Sequence, residues 1–360
     1  MKKFLLTSAA FVACALPLST QAADLPLKAA PVAATPQATG YIEVYGGWAS
    51  TRTRADGSAV VGDSEEERTL FFASSNRESA KGSVLGGAAR GNYWLTPAVS
   101  MQLDVQAEGT SYSFSGSTSS SLDYLIGGHV NLRNSNSSLY GMFAGIGDVN
   151  GVRHAVIGAE AQWYWNNVTF YLQGGYDTTL HSSFPPLGMA VDNFPGLFTP
   201  FGADMDAWFI RGTGRYYVTP NLRIEATGMY ADGSVNQSSS PNFCTNACTF
   251  SSGFSTLLWE AKAEWKMDNS PFALFFKYRG SQTDYDLTST GYTCCSSTSS
   301  FAGTSKVTDS RFLVGARMYL GEKSLIWNDR QGTTLDIIAP LGIQTSPGYG
   351  LPGFSSSNPG

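Results

Sequence analysis

In the run Ala98-Val99-Ser100-Met101-Gln102-Leu103-Asp104-Val105-Gln106-Ala107-Glu108, apolar and polar residues alternate without a lapse. Successive side chains of a β-strand point to opposite faces, so this run predicts a strand with one apolar and one polar face. Residues 257–266 repeat the alternation, with Leu257 and Trp265 on one face and Lys262 on the other. A helix would scatter both sets of residues around its axis, so the pattern favours strands.

The same alternation recurs in about twelve segments of roughly 9–11 residues, the length that a tilted strand needs to cross a bilayer. They lie near residues 40–49, 83–95, 98–109, 122–133, 138–147, 154–164, 168–177, 206–218, 222–231, 255–266, 272–281 and 310–320. Short connectors alternate with mostly long ones rich in Ser, Thr, Gly and Asn. The sequence therefore predicts an all-β fold, a transmembrane antiparallel up-and-down β-barrel of about 12 strands with long extracellular loops and short periplasmic turns.

The composition agrees with a barrel and excludes other classes. Only 14% of the 360 residues are charged, against roughly 25% in an average soluble protein. The 23 basic and 28 acidic residues nearly balance, so no basic face indicates nucleic-acid binding. The mean hydropathy of -0.11 is too polar for a helical membrane protein.

Aromatic residues cluster near both ends of the predicted strands, which favours girdles at two membrane interfaces over the mid-strand core of a soluble β-sandwich. The members near short turns are Tyr93, Trp163, Tyr216, Trp265 and Phe272, and those near loops are Trp48, Tyr176, Trp208, Tyr230, Tyr278 and Phe312. Paired glycines such as Gly127-Gly128 lie within strands. They predict sharp coiling or the close approach of a loop inside the wall.

The ends of the chain lack the strand pattern. Lys2 and Lys3 precede an apolar run and small residues before Ala23, so residues 1–22 are predicted to be a cleaved secretory signal peptide. We expect residues 23–39 to form an Ala/Pro-rich periplasmic leader, residues 40–320 the barrel, and residues 321–360 a flexible periplasmic tail. An apolar stretch at 335–343 leaves open a plug or a periplasmic contact.

Three phrases carry a resemblance to a known family. They are Ala23-Asp24-Leu25-Pro26-Leu27-Lys28, Tyr41-Ile42-Glu43-Val44-Tyr45-Gly46-Gly47-Trp48 and Arg311-Phe312-Leu313-Val314-Gly315-Ala316-Arg317. Together they resemble porin-like outer-membrane barrel proteins of alphaproteobacteria. The resemblance implies a location in the cell outer membrane and assembly by the barrel-assembly machinery, and it brings no catalytic residues.

If the apolar face of each strand meets lipid, the opposite face lines the lumen. The basic residues on that face are Arg211, Arg215, Arg223, Lys262, Lys266, Lys277, Arg279, Arg311 and Arg317, and the acidic ones include Glu43, Asp104, Glu108, Asp123 and Glu160. An acidic wall facing a denser basic wall predicts a narrow passive channel for small polar solutes with a weak anion bias. The alternative is that these charges pair and fill the lumen, which would leave a non-conducting structural or surface-interaction protein of the adhesin or antigen type.

Two outer loops carry cysteines, and a third is apolar. We expect disulfides from Cys244 and Cys248 to Cys294 and Cys295, because an exported chain meets an oxidising compartment. The apolar residues Phe184, Leu187, Phe194 and Phe198 predict a loop folded inward as a constriction, with contact to a partner or to lipopolysaccharide as the alternative.

The sequence does not favour enzymatic activity. The histidines are His129, His154 and His181, and the patterns of zinc proteases, serine hydrolases and phosphate-binding loops are missing from the sequence. A rim dyad of a histidine with a loop serine stays open. We therefore expect a monomer that is not an enzyme and holds no cofactor and no metal, with outer-membrane lipid, lipopolysaccharide and small polar solutes as its partners.

Overall fold

Twelve strands and one short helix make up the described part of the chain. The computed structural model describes residues 38–61, 69–114, 117–149, 152–182, 203–239, 248–292, 298–321 and 323–338. The strands are β1 (Ala38–Val61), β2 (Thr69–Trp94), β3 (Val99–Phe114), β4 (Ser117–Asn134), β5 (Ser138–Val149), β6 (Val152–Trp165), β7 (Val168–Ser182), β8 (Ala203–Thr219), β9 (Leu222–Ser239), β10 (Cys248–Lys266), β11 (Phe272–Tyr292) and β12 (Thr298–Tyr319), and the helix is α1 (Leu325–Gln331). The predicted signal peptide and nearly all of the predicted leader lie outside these residues.

The strands close into a barrel. Each strand pairs antiparallel with its neighbours in sequence, and β12 pairs with β1 in a register that sets Tyr41 opposite Tyr319. Closure leaves no free strand edge, and an edge inside hydrocarbon would leave backbone groups without hydrogen bonds. The predicted antiparallel up-and-down barrel is confirmed.

The outer surface of the barrel is apolar at alternate positions. Leu103 is 60% exposed and Leu257 is 50% exposed, in agreement with the two runs that predicted strands. The girdle residues are also exposed, except for the half-buried Tyr278. Such a surface suits contact with lipid. In the described ranges, no helix has the length and apolar character needed to cross a membrane.

Short turns join the strands at one end of the barrel, which we call the turn end. Asn166 and Asn269 lie in these turns with φ of 48° and 53°, a conformation that asparagine tolerates better than most residues. The opposite end is the loop end. The predicted short turns are confirmed.

At the loop end, strands continue where the sequence predicted loops. β1 and β2 stay paired as far as Val61 opposite Thr69, although strand was predicted only to residue 49 and from residue 83. β11 and β12 stay paired as far as Tyr292 opposite Thr298. The predicted boundaries came from bilayer thickness, which does not limit a hairpin beyond the membrane, where pairing still satisfies backbone groups.

Candidate functional site

The side chains predicted to line the lumen point into the barrel, away from the exposed apolar face. Among the basic residues, Arg211, Arg215, Arg223, Lys266 and Arg317 are buried, and Lys262, Lys277, Arg279 and Arg311 are half-buried. Among the acidic residues, Glu43, Asp104 and Glu160 are buried, and Glu108 and Asp123 are half-buried. Lys266 departs from the set, because its Nζ donates to the backbone carbonyl of Ser270 in a turn. Lys266 therefore stabilises the turn end of the barrel and does not face the lumen.

Most wall arginines have carboxylate partners on the same strand or a neighbouring strand. The nitrogen–oxygen distances are 2.7 Å for Arg215–Glu225, 2.8 Å for Arg223–Glu264, 2.6 Å for Arg279–Glu260, 2.8 Å for Arg311–Asp309 and 2.9 Å for Arg317–Glu43. Arg311 also pairs with Glu108 on β3, with two strands between them. The charges are thus interleaved, and the two opposed walls expected from the sequence are not separate.

The chain beyond β12 turns back into the barrel. Residues 323–338, here called the inner segment, lie among lumen-facing side chains, and Leu325, Asp329 and Ile337 are no more than 3% exposed. The expectation of a flexible periplasmic tail is therefore wrong for these residues. Residues 339–360 lie outside the described part of the chain.

Helix α1 begins the inner segment and is fastened at both of its ends. The Ser324 hydroxyl accepts a hydrogen bond from the Trp327 backbone N–H at 3.3 Å and caps the first turn. At the other end, Arg133 Nη1 donates to the Gly332 carbonyl at 2.6 Å, and the Trp94 indole donates to the Gln331 carbonyl at 3.0 Å. Wall side chains therefore satisfy carbonyl groups that a helix leaves unpaired at its C-terminus.

Two carboxylates of the inner segment pair with arginines of the wall. Asp329 pairs with Arg215 and accepts a hydrogen bond from the Thr169 hydroxyl at 2.7 Å. Asp336 lies 2.9 Å from Arg211 Nη2 and 3.3 Å from Arg90 Nη2. The inner segment thus supplies counter-charge to Arg90, Arg211 and Arg215.

An apolar ring surrounds the last described residues of the inner segment. Ile337 and Ile338 pack in one cluster with Leu125, Phe143, Val156, Phe209, Met229, Ala231 and Leu258. A Cβ atom at Gly127 would come within 2.4 Å of Ile337 Cδ1, so the missing side chain makes room for this contact. The ring was not predicted from the sequence, although the apolar stretch at 335–343 and the apolar residues on the inward faces of the strands indicate it.

Two cavities adjoin the inner segment. The larger one, about 120 Å³, is lined by Asp336 and Ile338 of the segment and by wall residues that include Tyr45 and Arg311. The smaller one, about 20 Å³, is lined by Asn328 and Asp329 together with other residues of the segment and the wall. The inner segment therefore lies between two small open volumes of the lumen.

Two histidines lie inside the barrel beside carboxylates. His129 Nδ1 is 2.9 Å from Glu160, and its Nε2 is 3.2 Å from Asp104. His154 is 1% exposed, with Nδ1 3.0 Å from Asp177. His129 is inward as predicted, whereas His154 is more deeply enclosed than its place near the start of a strand suggested. The side chain of His181 lies outside the described residues.

Two predicted loop features cannot be placed on this geometry. Cys244, Cys294 and Cys295 lie outside the described residues, as does the side chain of Cys248. The predicted constriction residues Phe184, Leu187, Phe194 and Phe198 also lie outside them. The disulfides and the loop constriction stay predictions.

No family model matches the sequence, and no curated protein matches it. Solved structures similar to the chain include an outer-membrane channel of Pseudomonas putida F1, with 10% identity, a TM-score of 0.43, and coverage of 76% of this chain and 96% of that one. A FadL homologue of Pseudomonas aeruginosa has 11% identity and a TM-score of 0.27, and covers 79% of this chain and 90% of that one. The narrower resemblance to porin-like proteins stays a prediction.

The expectation that the chain is not an enzyme has to be corrected. The outer-membrane protease OmpT of Escherichia coli is also among the similar structures, with 12% identity, a TM-score of 0.35, and coverage of 79% of this chain and 98% of that one. The solved structures similar to this chain thus include a protease as well as channels.

Proposed function

We propose that the protein is an outer-membrane channel for the passive diffusion of small polar solutes, with a weak anion bias, and that the inner segment closes it in the conformation described. The observation that carries the proposal is the pairing of Asp329 and Asp336 with the wall arginines Arg90, Arg211 and Arg215. Moving the segment out of the bore would remove two negative charges from beside these three guanidinium groups, of which Arg215 keeps the wall carboxylate of Glu225 at 2.7 Å. Fixed cations in a narrow pore favour the passage of anions.

The polar side chains of the lumen wall support a path for solutes rather than a permanently filled lumen. A buried ion pair contributes little net stability compared with well-packed apolar residues, so a barrel that only had to stay closed would not need such a charged interior. The inner segment has no strand pairing with the wall, and side-chain contacts hold it together with one backbone hydrogen bond, from the Ile326 N–H to the Pro220 carbonyl at 3.3 Å. Such contacts can be exchanged for contacts with water or a solute more readily than the strand pairing of the barrel.

The test is the conductance of the full-length chain in planar bilayers. We expect low conductance from the wild type and higher conductance, with an anion-selective reversal potential, from the double variant Asp329→Asn/Asp336→Asn. Asparagine keeps the size of each side chain and removes the ionic anchor. Asp268→Asn is the matched control, because Asp268 lies in an exposed turn with Asn221 as its hydrogen-bond partner.

One observation favours the second candidate, a non-conducting structural or surface-interaction protein. The apolar ring packs around Ile337 and Ile338, which is the arrangement expected of a barrel that stays filled. The heat-dependent gel migration of each protein shows whether it is folded. If the folded wild type, double variant and control all failed to conduct, the result would support this candidate and contradict the channel.

A further inference from the structure

We propose that Arg90 and Arg211 form a binding site for the carboxylate group of a small solute, and that Asp336 occupies this site in the closed barrel. The proposal rests on the proposed function, because in the native chain the carboxylate of Asp336 leaves the site only when the segment moves. It adds the chemical class of the solute, a short monocarboxylate.

The geometry is that of a clamp around one carboxylate. Asp336 Oδ1 lies 2.9 Å from Arg211 Nη2, and Asp336 Oδ2 lies 3.3 Å from Arg90 Nη2, so each oxygen meets a different guanidinium. Charge-assisted contacts of this kind recognise carboxylates strongly. Both arginine side chains are at least nine-tenths buried, with 1% of Arg211 and 6% of Arg90 exposed, so little solvent weakens the attraction.

The clamp is not satisfied by Asp336 alone. Arg211 Nη1 also donates to the Asp336 backbone carbonyl at 2.8 Å and to Gln173 Oε1 at 3.2 Å. Arg211 Nε is buried and has no hydrogen-bond partner within the described residues. A buried donor without a partner is costly, so the clamp has binding capacity that the segment does not use.

The cavity at the clamp limits the size and charge of the solute. It measures about 120 Å³ and reaches Asp336 from the side of Tyr45, Gln106 and Ser281. Its lining includes Asp336 but neither Arg90 nor Arg211, so a carboxylate in it reaches the clamp only where the carboxylate of Asp336 has left, and the hydroxyl and amide groups of the lining suit a polar remainder. Besides Asp336, the three carboxylates of Glu108, Asp123 and Asp309 line the same cavity and outnumber its two arginines, Arg279 and Arg311, so the lining disfavours a second negative charge on the solute. A short monocarboxylate therefore fits better than a dicarboxylate.

The test uses the full-length chain with Asp336→Ala, which removes the resident carboxylate and leaves the arginines in place. Acetate is the probe, acetamide is its neutral counterpart and succinate is the dicarboxylate, all at equal ionic strength. We expect acetate to raise the unfolding temperature of the variant in a saturable manner, and acetamide and succinate to raise it much less. The wild type should respond weakly to acetate, because Asp336 occupies the site.

Arg211→Gln in the Asp336→Ala background is the control, and it should abolish the acetate response. An equal response to acetate and acetamide, or a response that survives Arg211→Gln, would overturn the site. If Asp336→Ala does not fold, Asp336→Asn is measured in the same way, with the same expected and contrary results.

Conductance separates this proposal from the proposed function. Acetate binding by a barrel that stays silent in every variant would support the site and contradict the channel. An anion-conducting barrel without a specific acetate response would overturn the site and leave the channel standing.

Discussion

At Gly127 the inner segment packs directly against the backbone of a wall strand. A Cβ atom there would lie 2.4 Å from Ile337 Cδ1 and 3.0 Å from the Ala144 carbonyl oxygen. We expect Gly127→Val to lower the free energy of unfolding by about 1–3 kcal/mol, the usual cost of overpacking a filled interior. Equilibrium unfolding in detergent micelles measures the change.

A double-mutant cycle with Ile337→Ala tests whether this cost arises from the segment. Removing the isoleucine side chain makes room for the valine, so the two changes should couple by about 0.5–3 kcal/mol. Gly212→Val is the matched control, because a Cβ atom at Gly212 meets nothing within 4 Å. Additive effects of Gly127→Val and Ile337→Ala would show that the cost of the valine arises from the wall and not from the segment.

At the scale of the element, Arg133 is the main anchor of helix α1. Its Nη1 donates to the carbonyls of Gly332 at 2.6 Å and Arg330 at 3.2 Å. Replacing Arg133 by Gln should leave buried acceptors unpaired, at a cost of about 1–3 kcal/mol. We expect faster amide hydrogen exchange across residues 326–334 and unchanged exchange in the strands, as measured by mass spectrometry.

Arg153→Gln provides the comparison for this prediction, because the side chain of Arg153 is 66% exposed on β6. Unchanged exchange in residues 326–334 after Arg133→Gln would show that Arg133 does not anchor helix α1. Faster exchange in all strands would show that Arg133 stabilises the whole barrel and not the inner segment in particular.

The elements differ in how far the sequence predicts them. A strand such as β3 carries its own signal, because alternation from Val99 onward follows from the two faces of one wall. The inner segment carries no such period. Its position depends on hydrogen bonds with residues that are distant in the sequence, such as Asp336 with Arg211 and Thr334 with Gln102. No local sequence pattern predicts these contacts.

The same distinction applies to the candidate site. The parity of the strands predicted which charges face the lumen, since each strand fixes its own two faces. It could not predict how Arg317 pairs with Glu43 and Glu264, because those contacts depend on the closing register of β1 with β12 and on the tilt of β10. Local periodicity thus predicts orientation, whereas pairing requires the assembled barrel.

At the scale of the whole molecule, the lumen holds two kinds of arginine. Arg223 and Arg317 pair with wall carboxylates that stay in place when the segment moves. Arg90, Arg211 and Arg215 lose the carboxylates of the segment, although Arg215 keeps Glu225 at 2.7 Å. An anion preference should therefore depend on the second kind.

We expect Arg211→Gln/Arg215→Gln, added to Asp329→Asn/Asp336→Asn, to abolish the anion-selective reversal potential. The four substitutions remove two cations and two anions, so the lumen regains the formal net charge that it has in the wild type. Lys306→Gln in the same background is the control, since the Lys306 side chain is 49% exposed and pairs with Asp284 at 3.7 Å. The control should keep the anion preference, because an exposed charge is screened by salt. If the preference survived the loss of both arginines, the selectivity would have to arise from Arg90 or from wall charges that are already paired, and Arg211 and Arg215 would not determine it.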